Sequence, residues 1–374
     1  MKAAVLGIGR MGTTICYAMN KLGFEVIGAD SNEAAGGYFR EHIGGPDGAF
    51  YLTNQNNADK SVERVISFEK PDIVISSLPY HQTEEMAYWC IDNGFRYCDL
   101  GGRVDVSANI NEHALKSDLA TSPVFTDLGL APGWVNILAE QGYRELHGDS
   151  NDTHIEMMVG GLPDYLESAN NPLRYAVSWS IDGLLNEYRD DCLVLKDGQI
   201  MYTKGMDGLE TIETDNLGKL EAFYTSGGAS HSIFSMKERG VKSCSYKTLR
   251  YKGHCDIVKF LIKDCDLDDE TLNKIFLEGC GRANKDEVIL IAGVTKGNKT
   301  WKEEKLIKSD EQFSAMQKAT AFSISSVAAI MAQGILEGNK EQHRDYWSQY
   351  PRALSYADVP FKEFNKNLKT LGLV

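Results

Sequence analysis

The stretch MKAAVLGIGRMGTTICYAMNKLGFEVIGAD, residues 1–30, decides the fold of the first part of the chain. Its apolar run Ala3–Leu6 enters a glycine turn, as a buried strand does at its end. From Met11 the pattern turns helical, with Ile15, Ala18, Met19 and Leu22 at i, i+3, i+4 and i+7, and Gly23 supplies the stop. FEVIGAD then reads as a second strand. A strand, a helix and a strand joined through Gly7-Ile8-Gly9-Arg10-Met11-Gly12 form a βαβ unit with a GxGxxG turn.

Each glycine has a physical task in such a turn. Gly7 makes the tight turn, Gly9 lets backbone approach a pyrophosphate, and Gly12 lets the helix pack on the strand. The amides at the helix start, around Arg10 and Met11, face the phosphates. Asp30 ends the second strand eighteen residues after Gly12, placed with Ser31 to accept hydrogen bonds from an adenosine ribose. Its charge repels a 2′-phosphate, and no Arg or Lys follows before Arg40, so the expected cofactor is NAD, with NADP disfavoured.

At 374 residues the chain is long for one core, so two domains are expected. A net charge of −14 argues against nucleic acid and against an anionic membrane surface. No apolar run is long enough to span a bilayer, and glycines interrupt the N-terminal run too early for a signal peptide. The eight cysteines are scattered without CxxC, and HExxH is absent; they read as reduced thiols of a cytoplasmic protein with no metal site.

Up to about residue 130 short apolar runs alternate with helical patterns. PDIVISSLP, FRYCDLGG and SPVFTDLG read as strands, and HQTEEMAYWCIDNG as a helix closing at Gly94. Beyond residue 151, THIEMMVGGLP, DCLVLKDGQIMYT and DEVILIAGVTKGNKTWKEEKLI read as longer strands, with hairpin turns at Asp197-Gly198 and Gly297-Asn298. Ser314–Leu336 reads as a long helix rich in small residues, followed by the polar EGNKEQHRD. The expected fold is α/β, a Rossmann-type doubly wound parallel sheet over 1–130 with 314–374 packing back on it, and an α+β domain over 131–313 for substrate and dimer contacts.

Ligands of a doubly wound sheet sit at the carboxyl ends of its strands. That points to Ser77, Leu78, Pro79 and Tyr80, to Asp99 and Gly101, and to Asp127 and Gly129. The strand ends are expected to meet the second domain where the chemistry occurs. Asp127 and Asp99 are candidate bases, and Asp127 is equally suited to cap the helix expected to begin at Pro132.

The blocks GIGRMG, VIGAD, SLPYHQ, CDLGG, TDLGLAPGWVNILA, VGGLP, NPLRYAVSWSIDGLLNEY, LEAFYTSGG and YKTLRYKGH occur in this order. Together they resemble the saccharopine dehydrogenase-like family, and most closely its L-lysine 6-dehydrogenase branch. The resemblance covers roughly residues 1–335, with a departure in the polar 163–174 loop, PDYLESANNPLR. It implies NAD(P)-dependent chemistry on a carbon–nitrogen bond of an amino acid, in a homodimer or higher homo-oligomer. The branch implies oxidation of the lysine ε-carbon; other relatives join an amine and an aldehyde by imine reduction.

Removing hydride from a carbon next to nitrogen needs that nitrogen neutral, hence a base tuned toward neutral pH. Beside the two aspartates stand Tyr80, as a hydrogen-bonding group to substrate or a loop tyrosine, and His254, as a base, a carboxylate partner or a structural histidine. Arg250 and Arg174 are candidates to clamp a substrate carboxylate. Trp179 is a pocket wall or core ring, and Thr225 and Ser226 lie in a small-residue turn that either approaches a ligand or closes a hairpin.

Overall fold

The computed structural model describes residues 1–43, 48–54, 56–147, 152–164, 171–280, 285–336 and 353–373. Residues 165–170 of the polar 163–174 loop, and the stretch EGNKEQHRD, lie outside the described residues. The chain forms two compact units, Met1–Trp134 with Gln317–Val374, and Val135–Met316.

In the first unit, β1 (Lys2–Leu6), β2 (Glu25–Asp30), β3 (Gly48–Leu52), β4 (Ile73–Ser76), β5 (Tyr97–Asp99) and β6 (Val124–Phe125) form one sheet in the order β3-β2-β1-β4-β5-β6. Every pair in it is parallel. Parallel strands need crossovers, and helices Arg10–Lys21, Ala35–Ile43, Val62–Glu69, Tyr80–Asp92 and Val104–Lys116 supply them. Ala4, Leu6, Ile27 and Val74 face a core shared with Ile66, Ala87, Cys90 and Ile110 of three of these helices. Ala3, Val5, Val26 and Ile73 alternate to the other face and are equally buried, which is why these strands read as continuous apolar runs. On that face Phe39 covers Gly28, where a Cβ would stand 2.8 Å from its ring.

Helix Ala315–Ala332 brings Phe322 to stack on Tyr17 at 6.4 Å, and Gln317 donates to the carbonyl of Arg10 and to the hydroxyl of Thr14. Near the C-terminus, Leu354 donates its amide to the Val124 carbonyl at 2.8 Å, extending the sheet beyond β6 by a bridge. The helix expected to start at Pro132 starts at Trp134 instead. The Ala131–Pro132 bond is cis, and the turn closes on itself as Trp134 donates to the Gly129 carbonyl at 3.1 Å.

The second unit is built on β7 (Thr153–Pro163), whose flanks pair parallel with β12 (Ser243–Arg250) and antiparallel with β13 (Asp286–Lys296). β13 turns into β14 (Lys299–Lys308), β8 (Asp191–Lys196) into β9 (Gln199–Lys204), and β10 (Glu210–Thr214) into β11 (Gly218–Tyr224). Asp197 and Gly198 both have positive φ, the backbone of a two-residue turn that matches strand twist. One sheet face packs Met158, Leu162, Leu220, Leu249 and Ile289. A second cluster joins Leu184, Leu185 and Tyr188 of helix Ile181–Arg189 to Cys255, Val258, Leu272 and Phe276.

All eight cysteines are free thiols, six of them buried. Among the described residues no helix is long and apolar enough to cross a membrane, and no group of three His, Cys, Asp or Glu side chains could hold a metal ion.

Candidate functional site

The glycine turn at the end of β1 has the shape its residue types require. Gly7 takes a φ of +81°, and a Cβ there would stand 2.9 Å from the Ser77 carbonyl oxygen. At Gly12 a Cβ would lie 1.8 Å from the Gly7 carbonyl oxygen, so helix and turn touch backbone to backbone. Around Gly9 a Cβ would meet nothing within 4 Å, and no side chain caps the helix start there. Open space against uncapped amides at a helix N-terminus is what an anionic phosphate needs. Arg10 and Met11 open the helix, and the Arg10 guanidinium reaches Gln317 at 3.5 Å. Asp30 holds the rim through its two oxygens, which accept the amides of Ile8 at 2.6 Å and Asn32 at 2.7 Å. Each carboxylate oxygen keeps a lone pair for a ribose hydroxyl. Ser31 follows, exposed. The residues present therefore fit a dinucleotide.

The other strand ends carry two buried acids. Asp99 accepts the amides of Gly101 at 2.9 Å and Asp127 at 3.1 Å on Oδ1, while its Oδ2 is buried with no hydrogen-bond partner among the described residues. Burial first, then the charge of Asp127, pushes the Asp99 carboxyl up to about 7. Asp127 takes a φ of +64°, accepts Ser107 Oγ at 2.6 Å on its carboxylate, and accepts the Tyr356 hydroxyl at 2.8 Å on its carbonyl. A Cβ on Gly101 would lie 2.1 Å from Asp127 Oδ1, so only glycine lets the two strand-end loops close. Gly129 is hemmed in by the Pro132 and Leu100 carbonyls. Ser77 donates its amide to Leu6 and Leu78 its amide to Ser76 Oγ, and Pro79 is the cap residue before helix Tyr80–Asp92. Tyr80 is exposed, with the Arg103 guanidinium 5.8 Å from its ring centre.

In the second unit Arg250 ends β12, 3% exposed. Its Nε donates to the Tyr188 hydroxyl at 3.0 Å and its Nη1 to the Leu249 carbonyl at 2.9 Å, and its cation lies 4.8 Å from the Tyr175 ring centre. Among the described residues Nη2 has no acceptor, and no carboxylate forms an ion pair with this guanidinium. Arginine's own basicity keeps it charged despite its burial. His254 is fully buried, with Nδ1 at 2.7 Å from the Leu173 carbonyl and Nε2 at 2.9 Å from the Tyr188 hydroxyl. Burial, then the Arg250 charge, pushes it down to about 3, so the ring is neutral. With the Nδ1 proton given to a carbonyl, Nε2 accepts from Tyr188.

Trp179 lies in the same neighbourhood, donating Nε1 to the Tyr175 hydroxyl at 3.1 Å. Arg174 is an exposed turn residue with φ +53°. The hydroxyls of Thr225 and Thr248 meet at 2.7 Å, and Ser226 donates its amide to the Glu187 carbonyl, in a turn that leads to helix Ser232–Glu238 and closes no hairpin. Ser107, Tyr175, Tyr188 and Glu187 were invisible as site residues in the sequence. The last three lie inside the quoted block NPLRYAVSWSIDGLLNEY, but only the side-chain contacts of the fold reveal that Tyr175 and Tyr188 meet Arg250.

A parallel sheet of this strand order, with a glycine cradle after β1 and an acid at the end of β2, defines a Rossmann-type dinucleotide-binding protein carrying a second α+β unit. The family model of the saccharopine dehydrogenase C-terminal domain matches residues 129–345, more than half of the chain, and the protein belongs to that family. It is 26% identical over 218 residues to a Schizosaccharomyces pombe saccharopine dehydrogenase [NADP(+), L-glutamate-forming], covering 58% of this chain and 47% of that protein. It is 33% identical over 209 residues to a mouse mitochondrial alpha-aminoadipic semialdehyde synthase, covering 52% of this chain and 21% of that protein. The chain spans about half the length of the fungal relatives it matches. The apo structure of Saccharomyces cerevisiae saccharopine dehydrogenase (L-Glu forming) shares the fold, with a TM-score of 0.68, 17% identity, and coverage of 98% of this chain and 96% of that one.

Proposed function

We propose that the protein is an NAD-dependent oxidoreductase acting on a carbon–nitrogen bond of an amino acid. The observation that carries this reading is Arg250, a buried guanidinium without a carboxylate partner among the described residues. Leaving such a charge uncompensated is costly, so the residue is kept for an anionic group of the ligand. Arg presents a planar fork that matches a carboxylate.

Gly7, Gly9 and Gly12 with the Arg10 and Met11 amides would hold the pyrophosphate, and Asp30 the ribose. A nucleotide held there would supply exchange of a hydride. The rest falls to the chain itself. A carboxyl held to about 7 takes a proton near neutral pH, and Asp99 Oδ2 is the atom on which it would rest. Asp127 maintains that basicity by its charge, and Ser107 orients Asp127. Tyr80 lies on the exposed rim of the same strand ends, open to a substrate group. Asp30 favours NAD although the fungal relatives are named for NADP(+).

Within this class we favour oxidation of the lysine ε-carbon with loss of ammonia. A second reading, oxidation of a secondary amine joining two amino acids, is supported by the names of the relatives. The purified protein is offered NAD with L-lysine, and separately with saccharopine, and NADH formation is followed. Turnover of L-lysine supports the first and of saccharopine the second. NADH formed from neither, with no NADH consumed when an amine and an aldehyde are supplied together, sinks both.

A further inference from the structure

The peptide between Asp127 and Leu128 is held at both of its polar atoms. Leu128 donates its amide to the Asp99 carbonyl at 2.9 Å, and the Asp127 carbonyl accepts the Tyr356 hydroxyl at 2.8 Å. On the other side of the Asp127 Cα, the residue's own amide donates to Asp99 Oδ1 at 3.1 Å. Backbone angles are the rotations between these two peptide planes, so pinning both planes keeps Asp127 at φ +64°, where a residue with a side chain is strained. The residue that closes this set stands 229 positions further along the chain.

Tyr356 reaches Asp127 because the C-terminal segment docks on the sheet edge. Leu354 bonds the Val124 carbonyl, and the Tyr356 ring lies 5.7 Å from that of Phe125, in β6 just before Asp127. Ser355 donates its amide and its hydroxyl to the Asp358 carboxylate at 2.7 and 3.0 Å, which fixes the short turn that carries Tyr356. Tyr356 is 2% exposed, and all of these residues belong to the first unit. A ring that only filled space there would serve as well without its hydroxyl. The buried Asp127 carbonyl is what uses it.

We propose that Tyr356 is a positioning residue for the Asp99–Asp127 pair, so that the C-terminal segment is part of the site at the strand ends. This rests on the reading of Asp99 as the proton-accepting group and names what sets its surroundings. Tyr356 acts through the Asp127 backbone and touches no reacting atom in this role.

The titratable groups facing Asp99 are Asp127 from the loop after β6 and Tyr97 and Cys98 from its own strand. Burial, then the charge of Asp127, holds the Asp99 carboxyl at about 7, while the Asp127 amide pulls it the other way. Without the Tyr356 hydroxyl, Asp127 relaxes toward an ordinary φ and takes both its charge and its amide from Asp99. The charge is the larger influence, so Asp99 becomes more acidic.

The test is carbon NMR of the full chain labelled at its aspartate carboxyls, the Asp99 signal being the one that D99N removes. Y356F keeps the ring on Phe125 and loses only the hydroxyl. N367A is the matched control, because Asn367 lies on the same segment and donates to the Ser326 carbonyl at 3.0 Å. Both variants lose one hydrogen bond of the segment, so a merely structural role would affect the two alike. Y356F should displace the Asp99 titration by about half a unit or more, downward, while N367A leaves it as in wild type. A titration in Y356F that coincides with wild type, or one displaced equally in N367A, overturns the positioning role. D99N that forms NADH from L-lysine or saccharopine at the wild-type kcat removes the reading of Asp99 as the base. The NMR titration in Y356F would still decide whether Tyr356 positions the pair.

Discussion

Asp127 donates its backbone amide to Oδ1 of Asp99 at 3.1 Å, which brings two buried carboxyls from neighbouring strand ends into one another's field. Asp127 can do this because it sits at φ +64°, a conformation that non-glycine residues rarely adopt and aspartate tolerates better than most. Gly101 makes the room, since any side chain there would strike the Asp127 carboxylate.

The first prediction concerns pH and stability. Asp99 titrates near 3.8 when unfolded and at about 7 in the fold, so the folded state holds the extra proton between those values. Stability contributed by that proton is full below the lower value and is lost as pH rises through about 7. The slope is at most about 1.4 kcal/mol per pH unit. D99N carries no titrating carboxyl, so the difference between wild type and D99N should shift in favour of D99N from pH 5 to pH 8. Urea denaturation at the two values measures it, and a pH-independent difference would refute the assignment.

The glycines separate folding from nucleotide binding. A Cβ at Gly12 would overlap the Gly7 carbonyl, so G12A should lose both stability and nucleotide affinity. A Cβ at Gly9 meets only open space, so G9A should keep its melting temperature within a few degrees yet bind NAD about tenfold or more weakly. Equal loss of stability in both variants would show that Gly9 is a packing position.

Asp30 gives the third. Its carboxylate is fixed by the Ile8 and Asn32 amides, so its charge cannot swing away from a 2′-phosphate. Replacing it in D30S should move the NAD-to-NADP ratio of kcat/KM toward NADP by on the order of tenfold, about 1.4 kcal/mol. An unchanged ratio would place cofactor choice elsewhere.

Much of the first unit was legible because buried parallel strands carry their signal locally. Ala3–Leu6 and Ile73–Ser76 are apolar throughout since both faces are covered, and Gly7, Gly23 and Gly94 mark turns with positive φ. The β10–β11 hairpin escaped notice because Glu210, Thr211 and Glu213 leave its edge strand polar and mostly exposed. Strand β3 escaped for a related reason, its residues being only half-buried at the sheet edge. The surroundings of Arg250 were less legible still. Tyr188 and His254 stand 66 residues apart, and nothing in either local pattern says that their side chains meet.

That meeting sets the last prediction. The Tyr188 hydroxyl accepts from Arg250 Nε and donates to His254 Nε2, which works only with a neutral ring protonated on Nδ1. Burial, aided by the Arg250 charge, holds His254 at about 3 against 6.5 when unfolded. Stability from the neutral ring is therefore complete above 6.5 and is lost as pH falls toward about 3, opposite in sign to Asp99. H254N should flatten the acid side, its difference from wild type shrinking between pH 6.5 and 5 by on the order of 1 kcal/mol per unit. Y188F removes the one group that serves both neighbours and leaves a buried donor and a buried acceptor unpaired, costing about 2–3 kcal/mol. Because Arg250 then loses a fixed orientation, Y188F should raise KM for a carboxylate-bearing substrate more than it lowers kcat. A fall confined to kcat, with KM unchanged, would mean that Tyr188 acts on the reaction itself and does not position Arg250.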